Sequence, residues 1–225
     1  MSPGQPGSQR PPAAGFSPIG ASELVEELAG YLTRVTTPAA ALRVAVDGAE
    51  ATRSHELAQG LIDPLRRLSR PAIHIRDDSF WRDASLRLEY GHHDMQSYAE
   101  GWLDHGALRR EVLEPLGAGG SGRFLPSLRD PVTNRMTRAA TVTAAPGSIV
   151  IVSGALLIRP DLEFDVIVHL AMSPGALARH TPPESAWTLP AFADYDAAVE
   201  PDVRADVVVR LEDPRRPAVR FNRAG

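Results

Sequence analysis

Any chemistry in this chain has to come from carboxylates, histidines, arginines and hydroxyl groups. The sequence contains no cysteine, which excludes disulfides, thiolate metal sites and cysteine nucleophiles. All 24 basic residues are arginine, so the chain holds neither a Schiff-base lysine nor a phosphate-binding lysine. The run His92-His93-Asp94 has metal-ligating side chains, but adjacent histidines rarely face the same way, and it predicts no metal site. No G-x-S-x-G segment and no serine triad is recognisable.

The composition is that of a globular protein. The 225 residues include 24 basic and 28 acidic side chains, a formal charge of −4, and 43% are hydrophobic. This length allows one domain with a full core. A slightly acidic chain gives no electrostatic reason to bind nucleic acid, no apolar run approaches the roughly 18 residues of a membrane span, and no signal-peptide pattern is present. We therefore expect a cytoplasmic protein with neither a membrane nor a nucleic-acid partner.

Short apolar segments alternate with helical or long connecting segments along the chain. Residues 1–20 are rich in Pro, Gly and Ser and predict a disordered tail, followed by a single domain over 21–225 whose first helix is capped by Ser22. Buried strands are predicted at 42–46, 72–76, 149–152, 164–170 and 205–211, with helices at about 54–69 and 107–113. This pattern predicts an α/β fold with an open, doubly wound, five-stranded parallel sheet. Ligands of such sheets bind at the carboxyl ends of the strands, here the turns after Val46, Arg76 and Val152.

Several segments at and between these strand ends form an ordered set over residues 42–217. They are Val44-Ala-Val-Asp-Gly48, Asp78-Ser-Phe-Trp-Arg82, Leu103-Asp-His-Gly-Ala-Leu108, Val152-Ser-Gly-Ala-Leu156, Arg204-Ala-Asp-Val-Val-Val209 and Asp213-Pro-Arg-Arg-Pro217. No single piece is specific, but together and in this order they resemble the uridine kinases and their relatives among the P-loop nucleoside kinases. The resemblance implies a P-loop NTPase-like fold and an ancestral activity that transfers phosphate from ATP to a nucleoside.

The phosphate-binding loop departs from the pattern of that family. A P-loop reads G-x-x-x-x-G-K-[ST]: the glycines admit phosphates to the backbone amides, the lysine bridges the terminal phosphates and the hydroxyl holds magnesium. Of the eight positions here, only Gly48 matches; Arg53 replaces the second glycine, Ser54 the lysine and His55 the hydroxyl residue. We expect the side chain of Arg53 to occupy the space that phosphates need, and Glu50 to repel a polyanion.

Two further parts of the phosphate machinery differ from the family. Ser153 stands where the family has an acid that serves the metal. The stretch 179–190 stands where the family has an arginine-rich lid, and Arg179 is its only arginine. Because phosphoryl transfer depends on positioning and charge neutralisation, three separate losses argue against ATP-dependent transfer. No cofactor is expected, and ATP with magnesium enters only if an arginine replaces the missing lysine.

The resemblance carries functional residues over to the nucleoside side, and each has a structural alternative. Asp78 falls where the family has its general base, or it caps a turn or binds Arg82. Asp104 and His105 fall where the family contacts ribose and base; alternatively Asp104 is a helix N-cap and His105 is exposed. The aromatic residues of the SYAEGW segment, four residues apart, either stack on a base or belong to the core.

Three hypotheses follow. The first is a degenerate uridine kinase-like protein that retains a nucleoside pocket and acts as a binding or regulatory module, alone, as a homo-oligomer or with a protein partner. The second is an active nucleoside kinase in which Arg53, Arg82 or Arg179 replaces the lysine. The third is an enzyme repurposed for acid–base chemistry through Asp78 and His105 on another substrate.

Overall fold

A seven-stranded sheet forms the centre of the fold. The computed structural model describes residues 15–222. Its strands are β1 (Ser17–Pro18), β2 (Leu42–Asp47), β3 (Ala72–Arg76), β4 (Arg123–Phe124), β5 (Val142–Thr143), β6 (Ile149–Gly154), β7 (Val166–Ala171), β8 (Val207–Arg210) and β9 (Ala218–Phe221). The large sheet has the order β1-β9-β8-β7-β2-β6-β3, and β4 pairs with β5 separately. The run β8-β7-β2-β6-β3 is parallel throughout, which confirms the predicted doubly wound sheet.

Two antiparallel strands extend the sheet beyond the five that were predicted. The strand β9 pairs with β8, and Ser17–Pro18 pairs with β9. Phe16 packs under two guanidinium groups, with Arg210 3.9 Å and Arg220 4.6 Å from its ring centroid. The predicted disordered tail therefore does not extend to residues 16–18, because sheet pairing and ring contacts hold them, and its residues 1–14 lie outside the described part.

Nine α-helices within residues 15–222 connect or flank the strands. They are α1 (Ala21–Arg34), α2 (Ser54–Gly60), α3 (Ile62–Arg67), α4 (Ala84–Arg87), α5 (His105–Leu108), α6 (Glu114–Leu116), α7 (Pro174–His180), α8 (Leu189–Val199) and α9 (Pro201–Arg204). A π-helical turn, Arg109–Leu113, joins α5 to α6. The predicted helix at 54–69 is divided at Leu61, and α1 has Gly20 rather than Ser22 as its N-cap, with Glu23 accepting from the Gly20 amide.

The core has two apolar layers, one on each face of the sheet. On one face, α1 and α3 pack against the strands through fully buried leucines such as Leu28, Leu32 and Leu65. On the other, Leu108 and Leu116 of the segment 105–116 pack with Phe80 and Phe124. Every residue of β2 and β6 is buried, as expected for central parallel strands. No helix within residues 15–222 is long and apolar enough to cross a membrane.

Candidate functional site

A cavity of about 400 Å³ opens at the carboxyl ends of β2, β3 and β6. The sheet register brings these ends together, since Asp47 pairs with Gly154 and Arg76 with Ser153. The turns that follow the three strands line the cavity, together with side chains from residues 92–105 and 181–192. A cavity of this size holds a small organic ligand.

One side of the cavity is an aromatic wall formed by Trp81, Tyr98, Trp102 and Trp187, which includes all three tryptophans of the chain. The Tyr98 ring centroid lies 5.3 Å from that of Trp102 and 5.5 Å from that of Trp187. The Trp81 and Trp102 rings meet edge to face at 5.2 Å. The guanidinium of Arg87 lies 4.9 Å from both of these rings and holds them by cation–π contacts. Such a wall offers flat apolar surface to a planar ring.

Asp78, the predicted general base, lines the cavity and is buried. Its carboxylate accepts from the guanidinium of Arg76, whose Nε lies 3.1 Å from both carboxylate oxygens and whose Nη2 lies 2.5 Å from Oδ2. The partner is thus Arg76 and not the Arg82 considered from the sequence. A substrate hydroxyl would have to compete with this charge-assisted pair for the oxygens of Asp78.

The neighbouring Asp77 was not singled out from the sequence, and its pKa is strongly perturbed. Burial raises its pKa from 3.8 to about 7, and the negative charge of Asp78 adds to the effect. Its carboxyl group packs against the backbone at Gly154, where a Cβ atom would overlap it. Its Oδ2 accepts from the Ala155 amide at 3.4 Å. Near neutral pH this carboxyl group can therefore donate a hydrogen bond as well as accept one.

The loop after β2 retains a glycine where contact is closest. A Cβ atom at Gly48 would lie 2.5 Å from Thr52 Oγ1 and 2.9 Å from Leu170 Cβ, so no side chain fits there. Arg53, at the second glycine position of the motif, adopts the left-handed conformation with φ 60° and ψ 42°. Its side chain is 63% exposed and pairs with Glu56, contrary to the expectation that it fills phosphate space.

Part of the hydrogen-bonding capacity of this loop is used internally. The segment Glu50–Thr52 forms a single 3₁₀ turn. Within and after it, the Thr52 amide donates to Ala49 O at 2.8 Å and the Arg53 amide to Glu50 O at 2.9 Å. The Thr52 hydroxyl also donates to Ala49 O, at 2.6 Å. Glu50 and the buried Ser54, which stands in the lysine position, line the cavity.

The side chains of His74, Ser153 and His55 form a hydrogen-bonded chain. Two of them, Ser153 and His55, stand at the positions that serve magnesium in the family pattern described above. Ser153 Oγ, fully buried on β6, lies 2.7 Å from His55 Nδ1 and 2.6 Å from His74 Nε2. Burial lowers the pKa of both histidines, that of His74 to about 4, and the nearby Arg76 adds to this effect. On its other side, His55 Nε2 lies 3.6 Å from Asp77 Oδ1.

Of the two predicted substrate-binding residues Asp104 and His105, the first has a structural role and the second lines the cavity. Asp104 is the N-cap of α5, and its Oδ1 accepts from the Ala107 amide at 2.9 Å. His105 is buried and lines the cavity, so the alternative of an exposed histidine does not hold. Burial lowers the pKa of His105 to about 4, which leaves it neutral near neutral pH.

A second cavity, of about 590 Å³, lies at the ends of β2, β7 and β8 and shares Gly48 and Ala49 with the first. At its inner end Asp47 is fully buried and accepts from the Leu157 amide, His169 and the Tyr195 hydroxyl at 2.8, 2.8 and 3.2 Å. Acidic side chains dominate the remaining charged lining, which consists of Asp196, Glu200, Asp202, Glu212 and Arg210. These five side chains carry a net negative charge.

The stretch 179–190 supplies aromatic and hydroxyl groups to the first cavity. Its 3₁₀ segment Pro183–Thr188 brings Trp187 and Thr188 to the lining, whereas Arg179 lies exposed on α7. His93 packs on Trp187 with centroids 5.4 Å apart. Within the described residues, no three His, Asp or Glu side chains are grouped as metal ligands would be.

The architecture and the site together define a P-loop kinase-like α/β fold. Across the sheet the parallel strands are arranged β3-β6-β2-β7-β8. If the five predicted strands are numbered along the chain, this order is 2-3-1-4-5, and a loop with a glycine leads from the first of them, β2, into α2. The mixed α/β structure and the mostly parallel central sheet match uridine kinase-like structures.

Two solved structures of bacterial proteins are similar to this chain. A structure described as a possible uridine kinase from Bacillus stearothermophilus has a TM-score of 0.67 at 20% identity, and the match covers 82% of this chain and 96% of that one. A candidate fructose transport system kinase from Silicibacter sp. TM1040 has a TM-score of 0.61 at 20% identity, covering 77% of this chain and 94% of that one. No protein-family model and no curated protein sequence matches the chain. At these identities the likeness concerns the fold.

Three cavity residues escaped the sequence analysis for different reasons. The sequence analysis used Trp81 only as part of the Asp78-Ser-Phe-Trp-Arg82 segment, although its position just after a predicted strand places it near the expected ligand site. Trp187 lies more than 100 residues further along, and no local pattern ties it to the first strand ends. Asp77 could have been found as the first polar residue after the strand that ends at Arg76.

Proposed function

We propose that this chain binds a nucleoside in the aromatic cavity and does not transfer phosphate from ATP, so that it serves as a binding or regulatory protein with a uridine kinase-like fold. The observation that carries the proposal is the four-residue aromatic wall, complete beside a loop that has no lysine. Stacking of a base on aromatic side chains contributes about 1–3 kcal/mol, enough to anchor a small ligand.

The phosphate side supports the absence of transfer. A bound ATP–magnesium complex does not fit the residues present, because the lysine position is Ser54 and the metal-hydroxyl position is a histidine ring already bonded to Ser153. Arg53 extends away from the cavity to Glu56. On the far side of the loop, the acidic lining of the second cavity would repel a polyphosphate.

The charges in the aromatic cavity favour a nucleoside over its phosphates. Glu50 and Asp78 are acidic, and Asp77 adds negative charge as pH rises above about 7. The guanidinium of Arg76 is already paired with Asp78. A neutral ligand therefore meets polar groups able to bond its hydroxyls, while a phosphate meets uncompensated negative charge.

Isothermal titration of the purified chain with uridine, and separately with ATP–magnesium, tests the proposal. Uridine is the first probe because one structural neighbour is described as a possible uridine kinase. We expect saturable binding of uridine, weaker binding of its 5′-monophosphate and no heat from ATP–magnesium. Saturable ATP binding followed by phosphorylation of uridine would refute the proposal.

A pair of aromatic variants shows whether the ligand occupies this cavity. In Trp187→Leu the uridine affinity should fall by about 10-fold, which corresponds to about 1.4 kcal/mol of lost stacking. Tyr90→Leu is the matched control, since Tyr90 is 75% exposed. Equal affinities in the two variants would locate the ligand elsewhere.

The competing hypothesis of an active kinase makes a distinct prediction at Arg53. If this arginine replaced the lysine, Arg53→Ala would abolish turnover and ATP would protect the loop from proteolysis. Since its guanidinium is bonded to Glu56, we expect neither effect. A phosphotransfer assay with the wild-type chain and Arg53→Ala, read in parallel, distinguishes the two hypotheses.

A further inference from the structure

We propose that His55, Ser153 and His74 form a proton relay that connects Asp77, at the floor of the aromatic cavity, to solvent beside the edge strand β3. The relay stands in place of the metal site of the phosphate loop. It would let Asp77 exchange its proton with solvent while a neutral ring ligand occupies the cavity, and in this respect alone it rests on the proposed function. The contacts of the relay are independent of any ligand.

The direction of each hydrogen bond follows from the chemistry of its two ends. Gln59 Oε1 can only accept, so His74 Nδ1, 3.2 Å away, carries the hydrogen. His74 is neutral, because burial lowers its pKa to about 4, and its Nε2 therefore accepts from the Ser153 hydroxyl at 2.6 Å. The single hydroxyl hydrogen is then used, so His55 Nδ1 must donate to Ser153 Oγ at 2.7 Å.

This order leaves a bare ring nitrogen facing the acid. The pKa of His55 is also lowered by burial, so its Nε2 carries a lone pair, and this atom lies 3.6 Å from Asp77 Oδ1. A rotation of the ring or one bridging water closes such a distance. Both His55 and Asp77 line the cavity, whereas Ser153 is fully buried between the rings.

The charged and titratable groups that face this end of the relay lie at the end of β3, directly after it and in the π-helical turn Ser97–Gly101. Arg76 and Asp78 oppose each other beside His55, and Asp78 acts on Asp77 as well. Tyr98 faces Asp77 from the aromatic wall, and its pKa is raised mainly by burial and then by the charge of Asp77. The raised pKa of Asp77, about 7, makes its proton exchangeable near neutral pH.

One transfer along the relay balances without any co-reactant. The Asp77 carboxyl gives its proton to His55 Nε2, and His55 passes the Nδ1 hydrogen to Ser153 Oγ. Ser153 passes its own hydrogen to His74 Nε2, and His74 releases the Nδ1 hydrogen to solvent near Gln59. Each of the three relay groups gains one hydrogen and loses one, and the net result is an ionised Asp77.

Imidazole ¹⁵N spectra of the unliganded full-length chain at pH 7 test the relay directly. Free neutral histidine prefers the Nε2–H tautomer, whereas the relay requires His55 and His74 both to be neutral and Nδ1–H. The variants His55→Gln and His74→Gln assign the signals. In Ser153→Ala the His55 ring loses its acceptor at Nδ1 and should shift towards Nε2–H, while Gln59 still holds His74 as Nδ1–H. Ser148→Ala, equally buried but bonded to Ala145 O, should leave both rings unchanged.

The wild-type spectrum alone can overturn the proposal, so it does not depend on the variants folding. A charged ring or an Nε2–H tautomer at either histidine contradicts the relay. An Nδ1–H tautomer at His55 that persists in a folded Ser153→Ala variant contradicts it as well. Failure of uridine to bind in the separate titration would refute the proposed function and leave the relay standing.

Discussion

The buried carboxyl group of Asp77 makes a quantitative prediction about stability. Burial raises its pKa from 3.8 to about 7 in the folded chain. Between these two values the folded state binds more protons than the unfolded state, so the free energy of unfolding falls as pH rises. A shift of about three pKa units corresponds to about 4 kcal/mol. The penalty is absent below about pH 4 and complete above about pH 7.

Asp77→Asn removes this ionisable group, so the difference in stability between variant and wild type isolates its contribution. We expect the unfolding free energy of the variant, relative to the wild type, to increase by about 4 kcal/mol between pH 4 and pH 8. His74 and His105 act in the opposite sense, because their pKa values of about 4 make charging them on unfolding favourable at low pH. Their contributions are common to both proteins and cancel in the difference.

Urea unfolding at five pH values from 4 to 8, followed by circular dichroism and tryptophan fluorescence, measures that difference. Asp63→Asn serves as the control for the loss of one carboxylate, since the side chain of Asp63 is 81% exposed on α3. Parallel stability profiles for the wild type and Asp77→Asn, with a constant offset across the pH range, would refute the assignment of a raised pKa to this group.

Two other substitutions test the packing that positions the site. Gly48→Ala should lower the free energy of unfolding by about 1–3 kcal/mol, because its Cβ would lie 2.5 Å from Thr52 Oγ1. Gly101→Ala is the control, since a Cβ there has open space. Equal melting temperatures of the two variants would contradict this prediction. Asp165→Ala should cost about 3 kcal/mol in urea unfolding. It removes the carboxylate bonded at 2.8 and 3.1 Å to the nearly buried guanidinium of Arg43 and leaves the exposed Glu163, 3.9 Å away, as its ion-pair partner. A loss below about 1 kcal/mol would show that solvent or Glu163 replaces Asp165.

The central sheet could be predicted because its strands are covered on both faces. Parallel strands buried on both faces are continuous apolar runs, and β2, β6 and β8 have that pattern. The two antiparallel strands β9 and β1 did not show it. In Ala218–Phe221 only Val219 is buried and Arg220 interrupts the apolar run, and β1 is only two residues long, so both depend on pairing with a neighbour and have little local signal.

The site was predicted to the extent that topology alone determines it. The carboxyl ends of parallel strands meet, and this brought Gly48, Asp78 and the turn after Val152 to one place. The directions in which the side chains point could not be predicted from the sequence. The left-handed backbone at Arg53 turns its side chain out to Glu56, and no spacing rule predicts that.

The contact between Ser153 and two histidines shows why separate sequence losses can be related. Taken singly, a serine in place of the metal-serving acid and a histidine in place of the metal hydroxyl each look like decay. Because Arg76 pairs with Ser153 in the sheet register, β3 and β6 also bring His74 within reach, and the Ser153 hydroxyl bonds to one nitrogen of each histidine. An apolar replacement would have filled this space without the cost of burying polar atoms. A polar chain that ends beside an acid in a ligand-sized cavity therefore supports the proposed proton relay.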